Sequence, residues 1–356
     1  MPSRRKIFAV FLALSGVGAF ATLFRREERK LKTFPLDFQW PVQEPFIFCA
    51  HHHDHYPSGN EKFGPPPSEL VGRDMGQDFD PSNAYRMYHG EEVPGFPVHP
   101  HRGFETITIV RKGYVDHADS MGAAGRYGEG DVQWMTAGAG VQHSEMFPLL
   151  RRDQPNTLEL FQIWLNLPKK SKSVAPHFSM FWSEKIPRLV RDGVNVTLIA
   201  GEFGGVKALQ APPDSWAADP ANEVTILLMK FSKGRLELPS VSGSTNRTLY
   251  FLEGSGLEVN GLKVSGKTGV QLDPGDVTLA AESGEVLLLQ AKPIGEPVFQ
   301  HGPFVMNSKD DIIRTIQDYQ RTGFGGWPWK RQDMVHGEKI ERFARFPDGR
   351  TEKPVG

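Results

Sequence analysis

Short apolar stretches separated by turn residues fill the chain between residues 35 and 307, and long segments with helical periodicity are almost absent there. Stretches of this length that are rich in β-branched and large apolar residues are typical of β-strands. The pattern therefore predicts an all-β fold. The predicted strands cover residues 106–110, 132–135, 158–167, 196–200, 224–231, 248–252, 277–280 and 286–291.

Two local patterns sharpen this prediction. Apolar and polar residues alternate over residues 257–264 on both sides of Asn260-Gly261, which is a preferred pair for the two-residue turn of a β-hairpin. The tripeptide Gly-Asp-Val at residues 130–132 recurs at residues 275–277, each time at the start of a predicted strand. A repeated turn and strand in the two halves indicates two related β-barrels.

The chain after residue 307 has a different pattern. Ser308 begins a capping-box sequence that ends with Asp311 in place of Glu, and this predicts one short helix. Residues beyond Trp329 are charged and poor in apolar side chains, so we expect a loose arm there. The residues predicted to share the apolar face of the helix are Ile312, Ile313, Ile316 and Tyr319.

An uncharged, mostly apolar run covers residues 7–24 and lies between two basic clusters. Its length suits a marginal membrane span, and its layout also suits a signal peptide or an organelle-targeting leader. The protein would accordingly be membrane-anchored, exported or sent to an organelle. A buried helix of the fold is a further alternative, although the run lacks a polar face. We expect residues 1–34 to lie outside the folded part of the chain.

Composition excludes several classes of function. The 356 residues include 41 Lys and Arg against 42 Asp and Glu, which gives a formal net charge of -1. Because binding through bulk electrostatics needs a basic excess, we expect no direct binding to nucleic acid. The single cysteine, Cys49, excludes an intrachain disulfide and a cysteine-rich zinc or iron–sulfur site.

The candidate chemistry lies in two histidine motifs. His99 and His101 are two residues apart, as are His143 and Glu145, and residues two apart in a strand point to the same side. Two such pairs on adjacent strands would bring four ligands together, whereas an isolated His-x-His is more often structural. Three imidazoles and a carboxylate suit one divalent ion of Fe, Mn, Co, Ni, Cu or Zn. Residues 178–300 contain no histidine, so we expect no such site there.

Four longer motifs connect the chain to a known family. They read FPVHPHRGFET at residues 96–106, GDVQWMTAGAGVQHSEM at 130–146, QIWLNL at 162–167 and EPVFQHGPFVMN at 296–307. On these motifs the chain resembles the pirins of the cupin superfamily over roughly residues 40–320. The resemblance implies a bicupin, in which two antiparallel jelly-roll barrels pack together. It also implies one metal ion, Fe(II) before the others, held in the N-terminal barrel by His99, His101, His143 and Glu145.

The resemblance also implies a division of the chain. We expect a metal-binding cupin domain at residues 35–180, a cupin domain without metal at 181–308, and a helix with a tail at 309–356.

The activity implied by the resemblance is that of a metal-dependent dioxygenase acting on a flavonol such as quercetin, with dioxygen as the second substrate. Glu145 would then be the base that removes the proton of the flavonol 3-hydroxyl. Two alternatives stay open. One is an iron-binding, redox-sensing regulator, and the other is a metal-binding cupin with a different substrate or no turnover. We expect a monomer.

Other residues near the motifs have smaller predicted roles. Glu105 is expected to be a spare ligand or to hydrogen-bond to a ligand, and Arg102 and Gln142 are expected to touch the ligands or to be structural. Trp134 and Met135 are predicted to belong to the barrel core. A histidine cluster in a Pro/Gly-rich context could bind metal, but we interpret it as a loop without a catalytic role that could line the mouth of the pocket: His51, His52, His53 and His55.

Overall fold

The computed structural model describes residues 31–355, and the predicted leader at residues 7–24 lies outside them. Within the described residues the chain forms 24 β-strands and one α-helix of 14 residues, which confirms the all-β prediction with a C-terminal helix. Residues 31–355 contain no helix that is long and apolar enough to cross a membrane.

The strands are, in chain order, β1 (Lys32–Pro35), β2 (Phe46–Tyr56), β3 (Gly95–His101), β4 (Phe104–Lys112), β5 (Tyr114–Asp119), β6 (Ala124–Gly128), β7 (Val132–Thr136), β8 (Val141–Met146), β9 (Asn156–Asn166), β10 (His177–Phe181), β11 (Arg188–Arg191), β12 (Val194–Ala200), β13 (Glu202–Phe203), β14 (Val206–Lys207), β15 (Thr225–Leu238), β16 (Asn246–Ser255), β17 (Leu257–Val259), β18 (Leu262–Val264), β19 (Thr268–Gln271), β20 (Val277–Ala291), β21 (Phe299–His301), β22 (Phe304–Met306), β23 (Phe343–Arg345) and β24 (Thr351–Glu352). The α-helix is α1 (Lys309–Thr322), and short 3₁₀ turns lie at Pro67–Glu69, Lys169–Ser171, Trp216–Ala218, Pro220–Asn222 and Gly323–Gly325.

The N-terminal barrel consists of two antiparallel sheets. One has the strand order β10-β7-β4-β9-β2, and the other has the order β24-β23-β6-β5-β8-β3. In β4 and β9, alternate residues point to opposite sides of the sheet. Ile107 and Ile163 point outward into an apolar core, while Thr108 and Gln162 point inward and hydrogen-bond to each other over 2.7 Å. The outer face of these strands is therefore apolar. Their inner face is polar around Thr108 and Gln162, and further along it is apolar, where Val110, Leu158 and Leu160 join a buried cluster.

The C-terminal barrel is one sheet with the strand order β1-β19-β16-β20-β15-β12-β11, to which the hairpin β17-β18 is attached through β20. The predicted hairpin turn is confirmed, because Asn260 has φ 52° and Gly261 has φ 78°. The separate strands predicted at residues 277–280 and 286–291 are wrong. They are parts of β20, which continues through the polar residues between them and pairs there with β15.

The two barrels pack against each other through one apolar core. Residues of the first sheet, among them Ile107, Trp134 and Phe161, share this core with Tyr250 and Leu287 of the C-terminal barrel. All five side chains are fully buried. Each Å² of buried apolar surface contributes about 25 cal/mol of stabilising free energy, and this contribution holds the two barrels together, as predicted.

The N-terminal boundary predicted at residue 34 is wrong. Strand β1 pairs with β19, where Phe34 lies opposite Gly269, and the Phe34 ring packs near the Tyr250 ring. A side chain at Gly269 would collide with the Phe34 ring, so the glycine makes room for it. Sequence reasoning missed this strand because a four-residue stretch beside a basic cluster has no clear period.

The loose arm predicted after Trp329 is also wrong. Strand β23 pairs with β6 at the edge of the N-terminal barrel, and the Trp329 indole donates a hydrogen bond to the Asp119 carbonyl oxygen over 2.7 Å. Arg126, which is buried and ion-paired with Asp116, donates to the carbonyl oxygen of Gly337. The tail is therefore held by backbone pairing and a buried guanidinium, which a charged composition does not reveal.

The C-terminal helix begins as predicted. The Ser308 hydroxyl accepts a hydrogen bond from the Asp311 backbone N–H, and Gly323 ends the helix with φ 54°. Ile312 packs on Phe304 and Met306 of β22. Ile313, however, is 44% exposed, because one residue further along a helix turns the side chain by about 100°.

The loop predicted for the histidine cluster is wrong as well. His51, His52, His53 and His55 all lie in β2, which pairs with β9 from Phe46 to Tyr56. The Pro/Gly-rich residues begin only at Pro57, after the strand has ended.

We predict that Phe34→Ala lowers the free energy of unfolding by about 2 kcal/mol, roughly half the cost of emptying a fully buried Phe site. Thr33→Ala, at the exposed neighbouring position of the same strand, should change it by less than about 0.5 kcal/mol. Chemical denaturation of the two variants and the parent measures the difference. Equal effects of the two substitutions would show that β1 does not contribute to the fold.

Candidate metal centre

Two neighbouring strands bring the three predicted histidine ligands together. Strands β3 and β8 pair antiparallel, and His99 lies directly opposite His143. The register shifts between Phe96 and His99, so one extra residue of β3 bulges out and aims the His99 ring. Strand β3 tolerates two prolines because it lies at the edge of its sheet.

The three imidazoles form a compact triangle. The ring centroids of His99 and His143 are 4.4 Å apart, and the His101 ring lies 4.8 Å from each of them. One nitrogen from each ring lies within 4.8 Å of the other two. This spacing brings three nitrogen donors within reach of one small ion, as the sequence predicted.

The hydrogen bonding of the triangle leaves nitrogen lone pairs free. His99 Nδ1 lies 2.9 Å from the Pro97 carbonyl oxygen, which can only accept, so Nε2 of His99 carries the lone pair. Both ring nitrogens of His143 and Nδ1 of His101 are buried without a hydrogen-bond partner among residues 31–355. Buried polar atoms are normally paired, and a divalent metal bound by the three rings would satisfy the lone pairs. The residues present therefore fit such an ion.

Burial also sets the charge of the three rings. It lowers the pKa of His99 to about 4 and the pKa values of His101 and His143 well below their usual range, and the neighbouring imidazoles add to the effect at all three. A lowered pKa favours the neutral ring, which is the form that binds metal. All three rings are therefore neutral at pH 7.

Glu145 lies beside the triangle and is held by three donors. Its Oε2 atom is 3.8 Å from His143 Nε2 and accepts a hydrogen bond from Gln162 over 2.8 Å. Its Oε1 atom lies 3.0 Å from the Thr108 hydroxyl, whose one proton is shared between this oxygen and Gln162 Oε1, and 3.5 Å from the Tyr127 hydroxyl. Burial raises the pKa of Glu145 above its usual value, against the opposing effect of these partners.

Sequence reasoning missed these partners of Glu145 and a further buried pair. His117 lies opposite Glu145 in the pairing of β5 with β8, and its Nε2 atom is 3.1 Å from Asp119 Oδ2. The available signal was the spacing, because Thr108 and Gln162 are polar residues in otherwise apolar strands and His117 alternates with Asp119.

Glu105 does not face the three imidazoles, so the prediction of a spare ligand is wrong. Its carboxylate accepts hydrogen bonds from the Thr136 hydroxyl over 2.6 Å and from the Ser215 hydroxyl over 2.5 Å, and burial raises its pKa to about 7. The reason is Gly103, whose φ of 86° turns the chain between β3 and β4 and restarts the alternation of sides.

The residues next to the ligands in sequence bind the C-terminal helix instead. Arg102 forms an ion pair of 2.8 Å with Asp318, and the Gln142 amide donates to the Gly323 carbonyl oxygen over 2.6 Å. Both contacts lie outside the barrel, and they stabilise the two strands that carry the histidines. Trp134 and Met135 are fully buried in apolar clusters, which confirms the prediction that they belong to the core.

Comparison with known proteins agrees with this arrangement. The family model for Pirin matches residues 74–165, and the model for the Pirin C-terminal cupin domain matches residues 229–325. The chain is 35% identical over 279 residues to a pirin-like protein of Solanum lycopersicum, which covers 77% of this chain and 91% of that protein. It is 32% identical over 271 residues to the pirin of Mus musculus, with 73% and 89% covered.

Among solved structures, the chain is similar to a quercetin 2,3-dioxygenase from Acinetobacter baumannii, with a TM-score of 0.66 and 28% identity, and the match covers 83% of this chain and 98% of that one. Two matched cupin domains, together with identity above 30% to relatives that are covered almost completely, show that this chain belongs to the pirin family.

Proposed function

We propose that the chain is a metal-dependent dioxygenase that acts on a flavonol such as quercetin. The observation that carries the proposal is a buried carboxylate, Glu145, beside three neutral imidazoles with free lone pairs. A proton acceptor next to a metal site is what deprotonation and oxidation of a phenolic substrate require. The similarity to a quercetin 2,3-dioxygenase supports the choice of substrate class.

The ligand set that we propose is His99, His101, His143 and Glu145, with Fe(II) as the ion we expect before the other divalent transition metals. The bound ion would supply Lewis acidity towards a phenolic oxygen and redox chemistry with dioxygen. The protein residues keep the three rings neutral and fix their positions, since each ring lies against another at 4.4 Å to 4.8 Å.

Glu145 has the surroundings that a general base needs. Burial disfavours the charged carboxylate and therefore makes it a stronger proton acceptor, whereas the hydrogen bonds from Thr108 and Gln162 keep it oriented. In our proposal it takes the proton of the flavonol 3-hydroxyl and holds it at a carboxylate oxygen while the ring is oxidised. The Tyr127 hydroxyl, 3.5 Å from Oε1, restrains that oxygen further.

Aromatic side chains beside the triangle suit a flat aromatic substrate. The Trp164 ring lies 5.4 Å from His101 and 4.7 Å from Phe48, and both aromatic rings are only partly buried. The Trp164 indole N–H has no hydrogen-bond partner among the described residues, so it is available to a hydroxyl or carbonyl oxygen of a ligand. We propose this pair as the wall against which the flavonol stacks.

We predict that His99→Ala, His101→Ala and His143→Ala each lower metal affinity by at least about 100-fold, because each removes one of three nitrogen donors. The fold should survive, since the apolar core between the barrels does not include these rings. Metal content after dialysis, read beside a thermal unfolding curve, measures both effects. His177→Ala, in the same barrel but outside the triangle, is the control and should keep its metal; stoichiometric metal in a triad variant would contradict the assignment.

We predict that metal affinity falls by at most about tenfold per pH unit between pH 7 and pH 5, which corresponds to the release of one proton. The pKa of His99 is about 4, and the pKa values of His101 and His143 lie well below their usual range. No imidazole therefore has to lose a proton before it binds metal between pH 7 and pH 5. Only Glu145, whose pKa is raised, has a proton to lose, which limits the change to about tenfold per pH unit. Competition with a chelator at pH 7, 6 and 5 tests this. A loss of about 1000-fold per pH unit would mean that three exposed imidazoles titrate.

We predict that Glu145→Gln retains a weakened metal site but lowers the rate of quercetin oxidation by about 10² to 10⁴, the usual contribution of a positioned base. An oxygen electrode measures the rate after loading with Fe(II), Mn, Co, Ni, Cu or Zn in turn, and elemental analysis gives the metal content.

The matched control is Glu105→Gln, because Glu105 is an equally buried carboxyl that faces away from the triangle and hydrogen-bonds to Thr136 and Ser215 instead. It should oxidise quercetin at the parent rate. A metal-loaded Glu145→Gln variant with the parent rate would remove the base role. If the parent protein does not oxidise quercetin with any of these metals, the dioxygenase proposal is wrong and metal binding without this activity remains.

A further inference from the structure

Three histidines project from one side of β2, away from the triangle at the metal centre. His51, His53 and His55 alternate along the strand, and His52 points to the other side, where its ring nitrogen hydrogen-bonds to the Tyr88 hydroxyl over 2.7 Å. These three residues, the β2 histidine row, have no part in the proposed dioxygenase reaction. Their alternation nevertheless repeats the His-x-His spacing of His99 and His101.

The spacing within the row suits chelation of a metal ion. The ring centroids of His53 and His55 are 4.6 Å apart, which lies within the range of 4.4 Å to 4.8 Å found in the triangle of His99, His101 and His143. His51 is 6.0 Å from His53, and it lies four residues before His55, which is about 13 Å along a strand at 3.3 Å per residue, so it does not reach an ion held by that pair.

A carboxylate already orients His51. His51 Nε2 lies 3.2 Å from Glu159 Oε1, and because a carboxylate only accepts, the ring proton is on Nε2 and the lone pair is on Nδ1. The His51 ring also stacks on Phe161 at a centroid distance of 4.7 Å, so these two contacts fix it within the fold and leave His53 and His55 as the pair that is free to bind an ion. Glu159 is itself held by ion pairs with Arg111 and Lys112.

The row lies in an open cleft of about 350 Å³ between the barrels, whose other walls include Trp40, Leu252 and Lys267. His55 is exposed and His53 is partly exposed, so an ion can enter and keep a water molecule. The nearby positive side chains, Arg111, Lys112 and Lys267, disfavour a hard ion that is bound only by charge. Imidazole nitrogens, in contrast, bind Cu²⁺, Ni²⁺ and Zn²⁺ strongly.

We propose that His53 and His55 form a second site for one divalent transition-metal ion such as Cu²⁺, Ni²⁺ or Zn²⁺. The two rings chelate the ion, and water completes its coordination. The site is separate from the predicted dioxygenase centre and does not depend on whether the protein oxidises a flavonol.

The test is a metal titration of the full chain without any histidine tag. Ni²⁺, Zn²⁺ and Cu²⁺ are added in turn under equilibrium dialysis, and the bound equivalents are counted for the parent, for His53→Ala/His55→Ala and for His99→Ala/His101→Ala/His143→Ala. We expect two equivalents in the parent and one in each variant. His51→Ala, a neighbour on the same side of the strand whose ring is held by Glu159 and Phe161, should keep both equivalents. The control is His89→Ala/His301→Ala, two exposed histidines elsewhere, which should keep both equivalents.

The outcomes separate clearly. One equivalent in the parent, with none left in the triad variant, would overturn the second site. A second equivalent that survives in His53→Ala/His55→Ala would place it elsewhere and overturn the assignment. If the triad variant does not fold by circular dichroism, the comparison of the parent with His53→Ala/His55→Ala decides by itself: a fall from two equivalents to one supports the proposal, and no change overturns it.

Discussion

The register between β3 and β8 is the constraint on which the site depends. One extra residue in β3 places His99 opposite His143 rather than opposite a neighbour, and the three rings then lie within 4.8 Å of one another. A shift of one residue would move every side chain of one strand to the other face. Contacts with the C-terminal helix stabilise this register further, because Arg102 of the segment after β3 and Gln142 of β8 both bind to the helix or its end.

The interior of the first barrel is divided between polar and apolar side chains. Thr108, Gln162 and Glu145 lie beside the triangle, whereas Val110 and Leu160 belong to an apolar cluster within the same barrel. The outer faces of β4 and β9 are covered by the C-terminal barrel, where Ile107 and Leu287 belong to one core. The hydrophobic stabilisation therefore comes both from the contact between the barrels and from clusters within them, and the polar residues are confined to the part beside the histidines.

Two buried carboxylates show how local surroundings divide their roles. Glu105 lies in β4 and faces away from the interior of the first barrel, whereas Glu145 lies in β8 of the other sheet and faces that interior, and burial raises the pKa of each. Glu105 meets only hydroxyl groups and links the first barrel to the segment around Ser215. Glu145 meets an imidazole at 3.8 Å, so it alone can take part in chemistry at the triangle.

The sequence by itself determined the all-β class, the hairpin at Asn260-Gly261, the capped helix and the convergence of His99, His101 and His143, because strand alternation and turn geometry are local properties of the backbone. Only the tertiary structure decided that β1 pairs within the C-terminal barrel and that the tail pairs with the N-terminal barrel. It also decided that the β2 histidines belong to a strand and that Glu105 faces away from the three imidazoles. These features depend on which strands become neighbours and on one glycine turn that restarts the alternation. Contacts between residues distant in the chain leave no periodic signal in either segment, and the side that a buried side chain faces follows from the packing of the whole barrel.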